Sequence, residues 1–573
     1  MLVMESKWIF KKEPEEEVVD KIHSSLGFGM FESKLLVMRG IDSYSKAREF
    51  FKPQVSDIHD PFLMKDMQTA VECIVSAIHQ RKKILIYGDY DVDGTSAVAL
   101  LYLYLSKIYD KKLLGYYIPD RYTEGYGISF QGIDYAKEQG FPLIISLDCG
   151  IKSLKEIDYA RSLGVDFIVC DHHLPGDQLP RAVAVLDPKR RDCPYPYKEL
   201  SGCGVGFKLC QALNTIYKLP ADDLYNLTDL LAISIAADIV SLTGENRTLA
   251  KLGLKRLRNT KRAGLRQLIP NEKLRNFTTS NIVFEIAPKI NAAGRISHGK
   301  AAVELMISDD AAEAKEIVSQ IIELNHQRKE MDSFITASAM KQIADSNQGK
   351  NSVLIVYDAA WSKGVIGIVA SRLVEAYYKP TFIFTDGNDG EIVASVRSAS
   401  DFDIYRVIEE CSDLLLKFGG HRAAAGLTMK KTNFEAFKNR VEKIVSETIQ
   451  EYQKSPSIEI DSVIEIKDLN DSFFSFHRKL APFGPDNMKP VLVINNVCAK
   501  STICQMGKDE AHVKFYIFNQ DTGEKIECVG FGLGQYYEEM KSKTFNMAFS
   551  VEENHWRGNV AYYLNIKDIK FNK

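Results

Sequence analysis

The 573-residue sequence predicts an α/β chain in three parts. These are a parallel-sheet domain, a long helix leading to a second α/β domain, and a small all-β domain at the C-terminal end. Three observations carry this. Between about 70 and 240, short apolar runs alternate with helix-like segments, the pattern of a parallel sheet covered on both faces. From Lys300 to Gln348 there is neither glycine nor proline, and Ala314, Ile317, Val318, Ile321 and Leu324 follow a helical period. After the polar stretch YQKSPS, brief alternating aromatic and β-branched runs replace helical periodicity.

Taken in order, residues 1–55 read as a helical lead-in and 56–308 as the first α/β domain. Its strands are expected at Lys83–Tyr87, Leu143–Asp148, Phe167–Cys170 and Ala182–Leu186. Helices fall between them at Ser96–Ile108, Gly132–Glu138 and Leu154–Leu163. Residues 309–348 form the connecting helix, which would reach ~58 Å if continuous from Asp309 to Asn347. The second α/β domain, 349–452, opens with VLIVYD and runs through GVIGIVASRLVEAYY to TFIFTD. Residues 456–573 hold HVKFYIF, EKIECVGF, TFNMAFSVEEN and NVAYYLNI, with a turn expected at Asp521-Thr522-Gly523. This predicts a small all-β barrel or sandwich, with a barrel of OB type preferred because aromatics on its sheet can stack bases. About two thirds of those aromatics would be core in any such domain.

Composition narrows the class. No apolar run approaches the ~20 residues of a membrane span, and the N-terminus MLVMESKWIFKKEPEEE lacks a signal-peptide core. The ten cysteines form no CxxC pair, so a disulfide framework or cysteine zinc site is not indicated, and a reducing cytoplasm fits. Net charge is −3, yet Lys251–Arg275 carries nine Lys/Arg and one acid. Such a stripe either tracks phosphates or is a solvated helix face.

The chemistry begins at ILIYGDYDVDGT. Asp89, Asp91 and Asp93 lie within five residues, and carboxylates so close raise each other's pKa unless something positive sits among them. A calcium loop is excluded, because its twelfth position is Leu100 and a strand precedes it. A strand-to-helix loop at the carboxyl end of a parallel sheet is instead where open α/β folds bind ligands. Residues two apart in an extended segment point the same way, so Asp91 and Asp93 converge. LIISLDCG adds Asp148, FIVCDHHLP adds Asp171, His172 and His173, and LLAISIAADIVSL adds Asp238. Any one such Asp is usually an N-cap. Together they form a metal-binding constellation. Carboxylates alone suit magnesium, and imidazole shifts preference toward manganese or another first-row ion.

These motifs resemble the DHH phosphoesterase superfamily, named for the triplet at Asp171-His172-His173. WSKGVIGIVASRL, SVRS and KFGGHRAAAGLT resemble its companion DHHA1 domain. With NAAGR, IPDRYTEGYGIS and PFGPDN, the chain is similar from about residue 50 onward to the bacterial single-strand-specific 5′→3′ exonucleases of that superfamily. The resemblance implies two-metal hydrolysis of single-stranded DNA to nucleoside 5′-monophosphates in DNA repair and recombination, with Mn²⁺ preferred and Mg²⁺ possible. Asp91 and Asp93 would bind one metal each, with Asp148 bridging and Asp89 a further ligand or neighbour of the first. His172 and Asp238 would complete the second site. His173 would stabilise charge at the scissile phosphate, and the catalytic set is His173, Asp148 and Asp171. Arg121, Arg295 and Ser395 would form a 5′-phosphate pocket. Arg397, Ser398, Gly419, Gly420, His421 and Arg372 would line the strand's path, although for Arg372 an ion pair is an equal reading. A monomer working with a RecQ-type helicase and a single-strand-binding protein is implied. Two departures stand out: Tyr87, where related sequences often carry His, and Ser362-Lys363 in WSKGV. The alternatives are a hydrolase of short or cyclic oligonucleotides, which needs no OB domain, and a scaffold that has lost its metals, which would lack the ligands present here.

Overall fold

The computed structural model describes residues 6–399, 401–499, 502–519, 523, 525–556 and 559–572. Asp521 and Thr522 of the expected turn lie outside them. The chain forms two compact units. One comprises 10–322 and 460–573, the other 6–9 and 323–459.

In the first unit a five-stranded parallel sheet is built from β1 (Ile84–Gly88), β2 (Leu114–Tyr117), β3 (Leu143–Leu147), β4 (Asp166–Cys170) and β5 (Ala184–Leu186), in the order β2-β1-β3-β4-β5. β1 and β3 are buried at every residue, as a sheet covered on both faces requires. β2 escaped the sequence reading because LGYY is short and opens with a glycine-interrupted run. Helix α1 (Val92–Ile108) starts four residues earlier than expected, because Asp91 caps it by accepting from the Gly94 N–H at 3.0 Å. Three further helices matter here: α2 (Gly202–Tyr217), α3 (Thr228–Ala237) and α4 (Gly244–Leu257).

Five of the nine cations in the basic stretch 251–275 are engaged within the fold, and Lys255, Lys261, Arg266 and Arg275 are exposed. Lys251 Nζ donates to the Phe50 and Phe51 carbonyls at 3.2 and 3.1 Å, and Arg258 Nε to the Phe277 carbonyl at 3.0 Å. Arg256 pairs with Asp222, Arg262 with Asp229 and Lys273 with Glu285. These cations tie local loops together.

Helix α5 (Ala311–Asp345) carries the chain from one unit to the other. Its 35 residues span about 52 Å. It begins two residues later than expected, because Asp310 accepts from the Ala312 and Glu313 N–H groups at 2.7 and 3.0 Å and so starts a new helix. In the second unit β6 (Leu354–Tyr357), α6 (Ile366–Tyr377), β7 (Thr381–Asp386), β8 (Glu391–Arg397), β9 (Lys417–His421) and β10 (Ala424–Lys430) form a sheet of order β9-β10-β8-β7-β6. β6 and β7 are parallel and the other pairs antiparallel.

The C-terminal sheet has seven strands: β11 (Ser462–Val463), β12 (Leu492–Val497), β13 (Cys504–Met506), β14 (His512–Phe518), β15 (Lys525–Gly530), β16 (Phe545–Trp556) and β17 (Asn559–Phe571). Their order is β11-β12-β16-β17-β15-β14-β13. Strict alternation in β14 buries Val513, Phe515 and Ile517. Phe515, Phe545 and Phe549 are core, whereas Tyr516 faces outward between Lys514 and Lys525.

The lead-in is not wholly helical. Lys7–Phe10 is a strand paired with Ser457–Ile460, and helices follow at Glu16–Leu26, Met30–Val37 and Tyr44–Phe51. Ile22, Leu35, Leu36, Ile41 and Ala47 share a core with Phe476 and Leu480 from the helix Asp471–Leu480. The motif PFGPDN is a clasp. Arg247 of α4 donates to the Ala481, Pro482 and Phe50 carbonyls at 2.9, 3.1 and 3.1 Å, with its guanidinium 3.5 Å from the Phe50 ring centre. Asn487 Nδ2 closes the loop on the Leu480 and Pro482 carbonyls, and the Leu242 N–H donates to Pro485. Burial and the nearby Arg39 charge hold the Arg247 pKa down at about 9, which leaves it charged at neutral pH, with three carbonyls accepting from it. Arg247→Ala strands those acceptors. It is expected to lower unfolding stability by roughly 3 kcal/mol, read as a drop in the urea midpoint.

Candidate active site

Strand register builds the site. Gly88 pairs with Leu147, Leu147 with Cys170, and Cys170 with Leu186. The next residue on each of these four parallel strands is an aspartate: Asp89, Asp148, Asp171 and Asp187. One row of carboxylates therefore runs across the C-terminal edge of the sheet. All four are buried.

Helix ends then bring in the rest. Asp93, in the first turn of α1, accepts from the N–H groups of Gly202 at 2.6 Å and Cys203 at 2.9 Å, at the N-terminus of α2. The Ser234 hydroxyl of α3 donates to it at 2.6 Å. An anion at a helix N-terminus is stabilised by unpaired N–H groups and the helix dipole. Two close approaches require glycine. A Cβ on Gly202 would lie 2.5 Å from Asp148 Cβ, and one on Gly94 would lie 2.5 Å from the Asp89 carbonyl oxygen. Asp148 itself adopts the left-handed conformation, with φ 62°. Its N–H donates to the Cys170 carbonyl at 2.9 Å, fixing the carboxylate beside the neighbouring strand.

His172 is the hub. Its Nε2 lies 3.1 Å from Asp148 Oδ1, 3.6 Å from Asp238 Oδ2 and 3.8 Å from Asp93 Oδ2. Among the described residues this defines two groups with donor atoms close enough to hold an ion: Asp148, His172 and His173, and Asp93, His172 and Asp238. Neither ring nitrogen of His172 has a hydrogen-bond partner, nor do Asp148 Oδ1 and either carboxylate oxygen of Asp89. Buried polar atoms without partners are costly, and here they converge. Burial pushes Asp89, Asp91 and Asp148 up from the usual carboxylate range, and the neighbouring aspartates push further. Burial, then Asp93 and Asp91, lifts Asp238 to about 8. Burial lowers His172, keeping it neutral, as a ligand must be. The atoms that need something positive are the hard oxygen and imidazole donors that suit Mn²⁺ or Mg²⁺, so the residues fit divalent metal. Asp91 lies outside both groups, with one carboxylate oxygen engaged in the α1 cap.

His173 is held differently. Its Nδ1 lies 2.8 Å from Asp171 Oδ1, and its Nε2 lies 3.2 Å from the Tyr126 hydroxyl. Asp171 also accepts from the backbone N–H groups of His172, His173 and Ile151. Burial alone would raise Asp171, but the His173 bond and charge with the N–H groups hold it at about 2. Burial works against charge on His173, and the bonded Asp171 outweighs it, lifting His173 to about 9.

Of the substrate candidates in this unit, Arg121 lies 4.8 Å over the Tyr90 ring. Tyr90 also feels the Arg295 charge, and the Tyr122 hydroxyl donates to the Arg295 carbonyl. Tyr87 is not positioned as a ligand. It is fully buried, stacked on Tyr117 at 5.3 Å, and its hydroxyl donates to the Gly127 carbonyl at 3.0 Å. In the other unit, register places Ser395, Gly426 and Gly419 in one cross-strand row and Arg397, Ala424 and His421 in the next. Arg397 Nη1 reaches Ser395 Oγ at 3.3 Å, and a Cβ on Gly367 of α6 would sit 2.8 Å from the same Oγ. Gly420, with φ 146°, faces the opposite side at the strand end. Ser398 Oγ donates to the Phe402 carbonyl at 2.6 Å. Arg372 pairs with the buried Asp332 at 2.7 Å, the ion-pair alternative.

Tyr126, Asp187 and Ser234 escaped the sequence reading. Asp187 had a signal, since VLDP repeats the strand-end aspartate of LDCG and VCDHH. Tyr126 lies in IPDRYTEGYGIS and Ser234 in LLAISIAADIVSL, but nothing local singles them out, because they enter the site by tertiary contact.

The crowded acids reverse the usual acid stability. In protein stripped of divalent ions, folded Asp238 holds its proton up to about pH 8, whereas the ordinary value is 3.8. Its stabilising contribution is complete below the lower value and is lost as pH rises through the higher one. Asp238→Asn is expected to flatten the fall in melting temperature across that window. An unchanged slope in melts with chelator present would contradict the arrangement described.

Family models match the chain as a DHH family N-terminal domain at residues 83–235, a DHHA1 domain at 350–447 and a RecJ OB domain at 460–568. The single-stranded-DNA-specific exonuclease RecJ of Bacillus subtilis (strain 168) is 36% identical over 572 residues, covering 99% of this chain and 71% of the relative. Its counterpart in Escherichia coli (strain K12) is 29% identical over 526 residues, covering 88% and 90%. The crystal structure of RecJ in complex with Mn²⁺ from Thermus thermophilus superimposes with a TM-score of 0.83 at 26% identity, covering 99% of this chain and 80% of that one. A crystal structure of exonuclease RecJ bound to manganese is 33% identical, with a TM-score of 0.59 over 68% of this chain and 96% of that one. Similarity of this extent over three consecutive domains places the chain in the RecJ family of single-stranded-DNA-specific exonucleases.

Proposed function

We propose that the chain is a metal-dependent exonuclease that hydrolyses single-stranded DNA from the 5′ end to nucleoside 5′-monophosphates, in repair and recombination. The observation that carries this reading is the pair of donor groups sharing His172 beside buried carboxylate oxygens of Asp89 and Asp148 that lack hydrogen-bond partners. RecJ relatives crystallised with Mn²⁺ support a divalent ion as the cofactor.

Asp93, His172 and Asp238 would hold one ion, and Asp148 with His172 and its neighbours the other; Asp89 and Asp91 add negative charge beside them. Divalent ions bound there supply Lewis-acid charge on the phosphate and an activated water at neutral pH. The chain's own residues do the rest. The Asp93 carboxylate is fixed in place because the α2 N–H groups and Ser234 donate to it. Asp171 locks the His173 ring through Nδ1 and, in protein free of divalent ions, lifts its pKa to about 9. Its Nε2–H, shared with Tyr126 in this structure, is the donor for a phosphoryl oxygen that gains charge in the transition state.

Arg121 and Arg295 are the candidates for the terminal phosphate, since a guanidinium binds two oxygens at once. A pocket for a 5′-phosphate near the metal ligands would set the direction of digestion. The Ser395, Arg397, Gly419 and His421 rows suit a sugar–phosphate backbone, because glycine lets it approach closely. The C-terminal domain offers Tyr516, flanked by Lys514 and Lys525, as a base-stacking position. That domain favours a long strand over a dinucleotide as substrate. A RecQ-type helicase and a single-strand-binding protein are the partners we infer, and a monomer in the cytoplasm is the expected state.

Asp148→Ala is expected to reduce cleavage of end-labelled single strands in Mn²⁺ on the order of a thousandfold, with strand affinity kept. Retained cleavage would remove the mechanism. Arg121→Ala is expected to raise KM about tenfold for a 5′-phosphorylated strand and to leave a 5′-hydroxyl strand unaffected. Equal effects on the two ends would show that Arg121 reads no terminal phosphate.

A further inference from the structure

Helix α3 ends on Asp238 in an unusual way. Asp238 is its last capping residue, and its N–H donates to the Ser234 carbonyl. The next residue occupies the left-handed position where helices normally place glycine. Here it is Ile239, with φ 57°. A β-branched residue in that region is a genuine outlier, because its Cβ crowds the following carbonyl. The strain is not offset by burial, since Ile239 is 62% exposed. Folding alone would favour glycine or asparagine at this position.

Leu174 is a second exposed apolar residue next to a site residue in the chain. It immediately follows His173 and is 69% exposed. The two side chains thus follow Asp238 and His173, and Asp238 lies 3.6 Å from His172. Apolar side chains that border metal donors and face solvent do nothing for the metal. Exposed beside those donors in the chain, they are candidates for contact with whatever adjoins a phosphate held there. On both sides of a phosphodiester, what adjoins it is the sugar. A deoxyribose presents a methylene at C2′, whereas a ribose presents a hydroxyl at the same carbon. A hydroxyl pressed against an isoleucine or leucine loses water without gaining a hydrogen bond, and this is unfavourable. A site that lacks a partner for a hydroxyl and shields it from water rejects it.

We infer that Ile239, with Leu174, forms an apolar lip that contacts the deoxyribose next to the scissile phosphate and discriminates DNA from RNA. This rests on the nuclease reading above and adds a specificity determinant to it. Strain at Ile239 is the cost of an apolar side chain where the helix end would take a small or polar one.

The test compares a single-stranded DNA with an RNA of the same sequence in Mn²⁺, for the parent, Ile239→Asn and Ile239→Gly. Both replacements suit left-handed backbone, so melting temperatures are expected to hold or rise. Ile239→Asn supplies a hydrogen-bond partner for a 2′-hydroxyl. Its DNA-to-RNA ratio of kcat/KM is expected to fall at least about tenfold, by loss on DNA and gain on RNA. Ile239→Gly is expected to raise KM for DNA several-fold, and Ile239→Leu to keep the parent's preference. A ratio within about twofold of the parent's in Ile239→Asn, with DNA still cut, overturns the lip and leaves the nuclease reading standing. A parent that cuts neither polymer overturns that reading, and the lip with it.

Discussion

Buried like charges need a counter-charge, and this molecule is organised around that requirement. Four parallel strands in register end on Asp89, Asp148, Asp171 and Asp187. Helix ends add Asp91, Asp93 and Asp238. Ionised carboxylates so close in a region of low dielectric repel strongly. Each acid is answered in its own way. Asp93 has the α2 N-terminus and Ser234, and Asp171 has three backbone N–H groups and an imidazolium. Asp89 and Asp148 keep carboxylate oxygens without hydrogen-bond partners. Asp171 is satisfied by protein donors alone, whereas Asp93 also reaches the donor group with His172 and Asp238.

Much of the surrounding structure fixes these acids in space. Gly94 and Gly202 let backbones come within a distance that any side chain would block. The left-handed Asp148 turns its carboxylate toward His172 rather than along the strand. Farther out, Arg247 ties α4, the N-terminal helices and the loop 481–487 into one body. Phe476 and Leu480 complete the core of those N-terminal helices. The C-terminal sheet is therefore not a detachable appendage of this unit. Removing it would open a core as well as remove a nucleic-acid surface.

Sequence periodicity located most of these elements because apolar runs and caps are local signals. Four of the five parallel strands were legible as unbroken apolar stretches. The fifth, Leu114–Tyr117, is four residues long and half-buried, too weak a pattern to stand out. The lead-in was read as helical throughout, but Lys7–Phe10 is a strand because Ser457–Ile460 pairs with it from about 450 residues away. The basic run 251–275 read equally well as a phosphate track or a helix face. The partners that engage five of its nine cations, Asp222, Asp229, Glu285 and three backbone carbonyls, are distant or invisible in one dimension.

The sequence by itself determined the chemistry on offer: strand-end aspartates, the DHH triplet and Asp238, in an alternating order that puts loops at one edge of a sheet. Alternation, capping and residue type act over a few residues, so one dimension holds them. Only the tertiary structure decided which acids are free for an ion. That depends on which helix N-terminus points at Asp93, which hydroxyls reach Asp93 and His173, and how one strand's register aligns its last residue with its neighbour's. Those are contacts between segments tens to hundreds of residues apart, and electrostatic energy is set by distance in space and by solvent exclusion rather than by separation along the chain.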